Sequence, residues 1–184
     1  FGKEDPDAVF AVLTADHIIR PQDKFAEAME AGFDIVERDP TQLVSFGIKP
    51  DHPATGFGYI EDGGEIPGME GQTNGLGFKV ERFVEKPPLE QAREYLASGK
   101  FSWNAGMFVF HAGTFMELLS RHKPESHEGL MQIREAWGTD RQSLVLEEVY
   151  PKLPKISVDY AVMEPAATDP AVSLAGVRMD VEWL

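Results

Sequence analysis

Cysteine is absent from the 184 residues, which excludes disulfides and thiolate-bound metal. Positive charge is scarce, with 17 Lys plus Arg against 31 Asp plus Glu, a formal net charge of -14 and a pI near 4.7. Nucleic-acid and anionic-membrane surfaces both work through a net positive field, so neither partner is expected. Nowhere does the chain approach the roughly 18 consecutive apolar residues of a membrane span. Phe1-Gly2-Lys3-Glu4-Asp5 also lacks the basic, apolar and small-residue order of a secretory leader. A soluble, cytoplasmic protein is the expectation. The 5 histidines (His17, His52, His111, His122 and His127) include no i, i+4 pair, and neither a zinc motif nor a nucleophile elbow is visible. Internal repeats, low-complexity tracts and interdomain linkers are missing too, so residues 1–184 read as a single domain.

What is present alternates between strand and helix. Residues 8–14 form a continuous apolar run, the pattern of a strand buried on both faces of a parallel sheet. From Pro21 to Arg38, Phe25, Ala28, Met29, Gly32, Phe33 and Val36 recur near a 3.6-residue period, predicting a helix. Leu43 to Ile48 is the next strand, stopped by Lys49-Pro50, and strand–helix–strand marks an α/β fold. Residues 56–61 and 77–86 read as a hairpin around a glycine-rich loop that is expected to be mobile. The hydrophobic alternation of the second strand slips at Arg82-Phe83, predicting a bulge or strong twist. Leu89, Ala92 and Leu96 mark a helix ending at Gly99, Met107 to Phe110 a buried strand, and Phe115, Leu118 and Leu119 a helix closing before Pro124. Residues 125–164 are mostly helical in tendency, a last strand covers Val172 to Val177, and the chain stops abruptly at Val181-Glu182-Trp183-Leu184.

Ligands of open α/β sheets collect beyond the carboxyl ends of strands, which makes Asp16 the first candidate. One carboxylate there suits magnesium, which keeps its waters and takes phosphate oxygens, but an Asp in that place is also a common turn former. His17 has the same ambiguity, since it could simply orient the turn. Glu85-Lys86 at a strand end offers an acceptor for vicinal sugar hydroxyls and a cation for a phosphate, or else an ordinary solvated pair. In Trp103-Asn104-Ala105-Gly106, Asn104 supplies donor and acceptor and Gly106 permits close ligand approach; the alternative is a turn opening the next strand. Gly56-Phe57-Gly58 within a strand points to a bulge or a ligand close to the backbone, and it lacks the third glycine of a dinucleotide fingerprint.

Together, and in this order, these segments resemble the mannose-1-phosphate guanylyltransferases, members of the sugar-nucleotidyltransferase family. The matching blocks are Leu13-Thr14-Ala15-Asp16-His17, Pro53 to Ile60, Phe83-Val84-Glu85-Lys86-Pro87, Trp103 to Phe108, and Pro154 to Glu164. The last is the most particular to the mannose enzymes. The resemblance implies a Rossmann-like, GT-A-like α/β fold with a mixed sheet flanked by helices. It implies transfer of GMP from GTP to mannose 1-phosphate, in line and without a covalent enzyme intermediate. By the same resemblance Asp16 would hold Mg2+ or another divalent cation, and Gly58 would meet the sugar through its backbone. Glu85 and Asn104 would hold mannose hydroxyls beside Gly106, and Lys86 would face the phosphate. Asp16 and Lys86 would be the catalytic pair.

Two features depart from the family pattern. A glycine-rich, Arg-bearing turn that cradles the triphosphate has no counterpart before Phe1, and a second metal-binding Asp, in a block of the form Asp-Val-Gly-Ser-Trp, has none after Leu184. The chain therefore looks like the sugar-binding side of the catalytic domain, with the N-terminal nucleotide-binding part missing, and is expected to be inactive alone. A homo-oligomer is possible on this reading. The alternatives are a non-catalytic regulatory subunit that binds sugar nucleotide, or a glucose-1-phosphate nucleotidyltransferase; the latter accounts less well for Lys155 to Glu164.

Overall fold

Gln42–Ile48 (β3) is buried at every position, and the rest of the sheet is arranged around it. The computed structural model describes residues 5, 7–169 and 171–184. Its main sheet has the order β1-β6-β3-β7-β5-β4, where β1 is Val9–Val12, β4 Tyr59–Asp62, β5 Gly77–Val84, β6 Phe101–His111 and β7 Ser173–Met179. Among the described residues only β3 and β7 pair in parallel; the other pairings are antiparallel. A further β4–β6 pairing joins the sheet's last strand back to β6. The fold is thus α/β with a mixed sheet, as the resemblance implies. The first strand needs correction. It is an edge strand, antiparallel to β6 and only half-buried. Its unbroken apolar run has another cause: Val9 and Ala11 pack on one core and Phe10 and Val12 on the other, so both faces are covered although β6 is its only strand partner among the described residues.

Helices cover each face. On one side Gln22–Arg38 (α1) buries Ala28, Ala31, Gly32, Ile35 and Val36, and Leu89–Ser98 (α2) buries Ala92 and Tyr95. They pack on Val44, Phe46 and Ile48 of β3 and on Ala105, Met107 and Val109 of β6. Full burial of side chains such as Ile35 or Val36 is worth about 1.5–3 kcal/mol each. Helix and sheet approach closely at Gly32, where a methyl group would lie 2.8 Å from Phe46 Cζ. On the other face Leu118 and Leu119 of Ala112–His122 (α3), with Ala161, Val162 and Met163, cover Leu43, Phe108 and Phe110. Pro124–Ala136 (α4) and Gln142–Val149 (α5) form a satellite cluster through Ile133, Ala136 and Val145. Among the described residues no helix is long and apolar enough to cross a membrane.

Three features beyond the sequence reading have physical causes. The phase slip in β5 is a bulge one position earlier than expected: Glu61 pairs with Arg82 but Asp62 pairs with Val80, leaving Glu81 extra and two successive side chains exposed. The glycine-rich loop 63–76 packs several side chains against the fold despite its composition. Ile66 and Met69 are buried in the core, Thr73 Oγ1 accepts from Gly77 N–H at 3.0 Å, and Arg178 pairs with Asp62 and donates to the Gly75 carbonyl at 2.9 Å. The terminal segment is a strand, Glu182–Trp183 (β8), paired with Ile19–Arg20 (β2).

A candidate functional site on β5 and β6

The site begins with a break in β6. Ser45 of β3 pairs with Phe108 but Gly47 pairs with Asn104, so β6 carries extra residues around Gly106, whose φ of +67° is left-handed. The turn suspected at Trp103 to Gly106 is therefore a bulge inside an 11-residue strand. It sets the Asn104 side chain against Ser45 of β3. Asn104 is buried and fully oriented by protein: Oδ1 accepts from Ser45 Oγ at 2.9 Å and from Gly106 N–H at 3.1 Å, while Nδ2 donates to Asp159 Oδ1 at 2.6 Å.

Glu85 and Lys86 leave the end of β5, where Lys86 takes a left-handed φ of +48° before Pro87. The Glu85 side chain is 6% exposed and that of Lys86 is 51% exposed, joined by a 2.9 Å Nζ–Oε1 ion pair. Lys86 Nζ also lies 5.8 Å from the centre of the Tyr160 ring. The other carboxylate oxygen, Glu85 Oε2, is buried without a hydrogen-bond partner among the described residues. Gly58 completes this cradle. Its carbonyl accepts Asn104 N–H at 2.8 Å, and a methyl group there would stand 2.5 Å from Glu85 Oε2 and 3.2 Å from Asn104 Cβ. Beside the cradle, Lys86, Lys123, Lys155, Ser157, Tyr160 and Glu164 line a shallow concavity, a local concentration of cations on a strongly acidic chain.

Burial pushes the Glu85 carboxyl above the ordinary glutamate value; the Lys86 hydrogen bond opposes this and the Asp159 charge adds to it. The Lys86 ammonium is raised by the same hydrogen bond and stays charged. A raised carboxyl pKa means that the folded protein binds the Glu85 proton more tightly than the unfolded chain does. Stability therefore falls as pH rises through the window from the ordinary glutamate value up to the folded one. Glu85→Gln is expected to melt higher than the parent at neutral pH, with the difference shrinking toward about pH 4. Melting curves across that range check it, and a pH-independent difference contradicts it.

The structure brings Gly58, Glu85, Lys86, Asn104 and Gly106 together, and the loop that carries Asp16 reaches this group through Thr14, 3.7 Å from where a Cβ at Gly106 would lie. Asp16 is 87% exposed, 3.6 Å from His17 Nε2, on the loop after β1. His17 does orient this loop. Trp183 Nε1, which can only donate, lies 2.9 Å from His17 Nδ1, so Nδ1 accepts and the ring proton sits on Nε2 facing Asp16. One exposed carboxylate is chemically suited to a hydrated magnesium ion that also holds phosphate oxygens. Among the described residues no group of three or more His, Cys, Asp or Glu forms a metal cage.

Sequence reasoning assigned no role to Ser45, Asp159, Tyr160 or Glu164. Asp159 opens a π-helical turn, Asp159–Met163, seated by buried Ala161, Val162 and Met163, and Glu164 Oε1 reaches Glu85 N–H at 3.4 Å. These partners are more than 50 residues from Asn104 and Glu85, and no local pattern records such pairings. The nearest signal was the block Pro154 to Glu164 itself, whose type of role the residues alone did not reveal.

Comparison with known proteins gives a consistent result. Mannose-1-phosphate guanylyltransferase ManC of Salmonella typhimurium is 40% identical over 97% of this chain, and a mannose-1-phosphate guanylyltransferase of Escherichia coli K12 is 41% identical over 97%. The chain spans about a third of the length of these relatives, 35% and 36%. A Thermus thermophilus crystal structure described as a mannose-1-phosphate geranyltransferase superposes with a TM-score of 0.77 at 35% identity, covering 96% of this chain and 46% of that one. A structure described as mannose-6-phosphate isomerase from Helicobacter pylori gives 0.75 at 29% identity, over 98% and 65%. The nucleotidyl transferase family model matches residues 1–145, and with this sheet, this site and these relatives the chain belongs to that family.

Proposed function

We propose that this chain supplies the sugar-phosphate side of an enzyme that transfers GMP from GTP to α-D-mannose 1-phosphate, giving GDP-mannose and pyrophosphate. One observation carries the reading: Glu85 Oε2 is buried, has no hydrogen-bond partner among the described residues, and packs against Gly58, where the absence of a side chain makes room for the carboxylate. A buried acceptor without a partner costs about 1–3 kcal/mol, and a sugar hydroxyl would relieve that cost. Glu85 and the Asn104 amide then hold mannose hydroxyls, with Gly58 and Gly106 giving the ring close access to the backbone. Lys86, at the edge of the three-lysine concavity, meets the phosphate.

A mannosyl phosphate oxygen forms a bond to the α-phosphorus of GTP as the bond to the bridging α–β oxygen breaks, and that oxygen leaves with pyrophosphate. Protein residues contribute position and charge neutralisation. Asp16 would hold a magnesium ion, which when bound neutralises phosphate charge. The relatives at 40% and 41% identity, named for this guanylyl transfer, support this choice over a glucose-1-phosphate enzyme or a regulatory module. Calorimetric titration of the chain with mannose 1-phosphate, glucose 1-phosphate and mannose tests it. Mannose 1-phosphate is expected to bind at least about tenfold more tightly than either. Equal affinity for the two sugar phosphates, or binding unchanged by loss of the phosphate, refutes the assignment.

A further inference from the structure

The orientation of Asn104 is over-determined. Gly106 N–H can only donate, so the atom facing it must be the amide oxygen, and Ser45 Oγ is hydrogen-bonded to the same oxygen. That leaves the two N–H bonds of Nδ2. One is taken by Asp159 Oδ1 at 2.6 Å; the other has no protein partner among the described residues. Ser45 and Gly106 lie on the sheet, whereas Asp159 lies on the π-helical turn, a rare geometry that recurs at functional sites. The turn is anchored by Ala161, Val162 and Met163, which are at most 4% exposed, so its first residue is held against Asn104 from outside the sheet. The next residue, Tyr160, lies under Lys86, and Glu164 at the end of the turn meets the Glu85 backbone. A single short turn therefore touches Asn104, Lys86 and Glu85.

We propose that Asp159 is a positioning residue: its carboxylate fixes the Asn104 amide so that the remaining Nδ2 N–H points at a substrate hydroxyl, and the π-helical turn completes the pocket by setting this contact. The inference rests on the sugar-phosphate reading above for the identity of the hydroxyl, but not for the hold on Asn104. A fixed donor recognises a hydroxyl at less cost than a rotating one, so the effect falls on sugar binding. Asp159→Ala removes the acceptor; Asp159→Asn keeps an acceptor oxygen at the same place and removes the charge.

Two measurements separate the claims. In the ligand-free chain, the Asn104 side-chain amide protons are followed by NMR. The Asp159-bonded proton is expected downfield and slow to exchange in the parent, shifted to ordinary amide values in Asp159→Ala, and largely restored in Asp159→Asn. In the protein carrying this chain, KM for mannose 1-phosphate is expected to rise about tenfold in Asp159→Ala, with KM for GTP and kcat within about twofold and recovery in Asp159→Asn. Asn104 amide signals unchanged in Asp159→Ala, in a protein that melts like the parent, overturn the positioning role. So does a loss in KM for both substrates alike. If the amide signals respond as expected but the unmodified protein fails to bind mannose 1-phosphate, the hold on Asn104 stands and the substrate reading falls. Should Asp159→Ala fold poorly, Asp159→Asn carries the test: parent-like amide signals and KM support the role, and a loss as large as that of Asn104→Ala overturns it.

Discussion

Lys86→Ala, in the protein carrying this chain, is expected to lower kcat/KM for mannose 1-phosphate by about 30-fold to several thousand-fold. The range follows from the roughly 2–5 kcal/mol lost when one member of a desolvated charge pair is truncated. An exposed surface pair is worth only about 0–1 kcal/mol, so the size of the loss separates the two readings. The geometry favours the larger value. Lys86 is half exposed, but the carboxylate that holds it is nearly buried, and the left-handed backbone at Lys86 followed by Pro87 fixes where the ammonium starts. Lys86 therefore faces solvent from a rigid base, as a group awaiting a phosphate should. Lys86→Arg is expected to recover only part of the activity, because a planar guanidinium does not reproduce a compact ammonium wedged between Glu85 and Tyr160. Kinetics with GTP saturating, alongside melting temperature, check this. A loss below about fivefold with folding intact returns Glu85 and Lys86 to an ordinary surface pair.

How far the chain can be read without coordinates depends on the distance over which each signal acts. α1, α2 and α3 were legible because their cause is local: a 3.6-residue period bounded by Pro21, by Gly99 and by Pro124. β3 was legible because burial on both faces removes every polar residue but Gln42 and Ser45. The direction of β1 was not, since an edge strand packed on both faces has the same composition as a central one, and its antiparallel partner β6 lies about a hundred residues away. The anchors of the loop 63–76 were hidden among its glycines: Ile66, Met69 and Thr73 are few, but each is buried. For the site, the residues that announce themselves are those at strand ends and bulges, Gly58, Glu85, Lys86 and Asn104. Those that hold them in place, Ser45 and Asp159, have no spacing of their own and emerge only from the fold.

Gly58→Ala is expected to raise KM for mannose 1-phosphate by about a hundredfold, the scale of a misplacement of roughly 1 Å at a reacting group, while folding is largely kept. The reason is that the two costs of this methyl group fall on different groups. Gly58 does not have a left-handed φ, so alanine meets no backbone penalty. The near contacts are Glu85 Oε2 at 2.5 Å, the far end of a side chain that can swing away, and Asn104 Cβ at 3.2 Å, which must yield by a few tenths of an ångström. Moving Glu85 relieves the clash and dismantles the acceptor in the same step, so stability changes little while sugar recognition is lost. Gly56 provides the control two residues away on the same segment. A methyl group there meets nothing within 4 Å, and Gly56→Ala is expected to leave KM within about twofold. The comparison also separates occupancy from flexibility, because both substitutions stiffen the unfolded chain alike and only one fills the cradle. Steady-state kinetics and melting curves for the two variants decide it. Equal KM values would mean that Glu85 Oε2 serves no sugar.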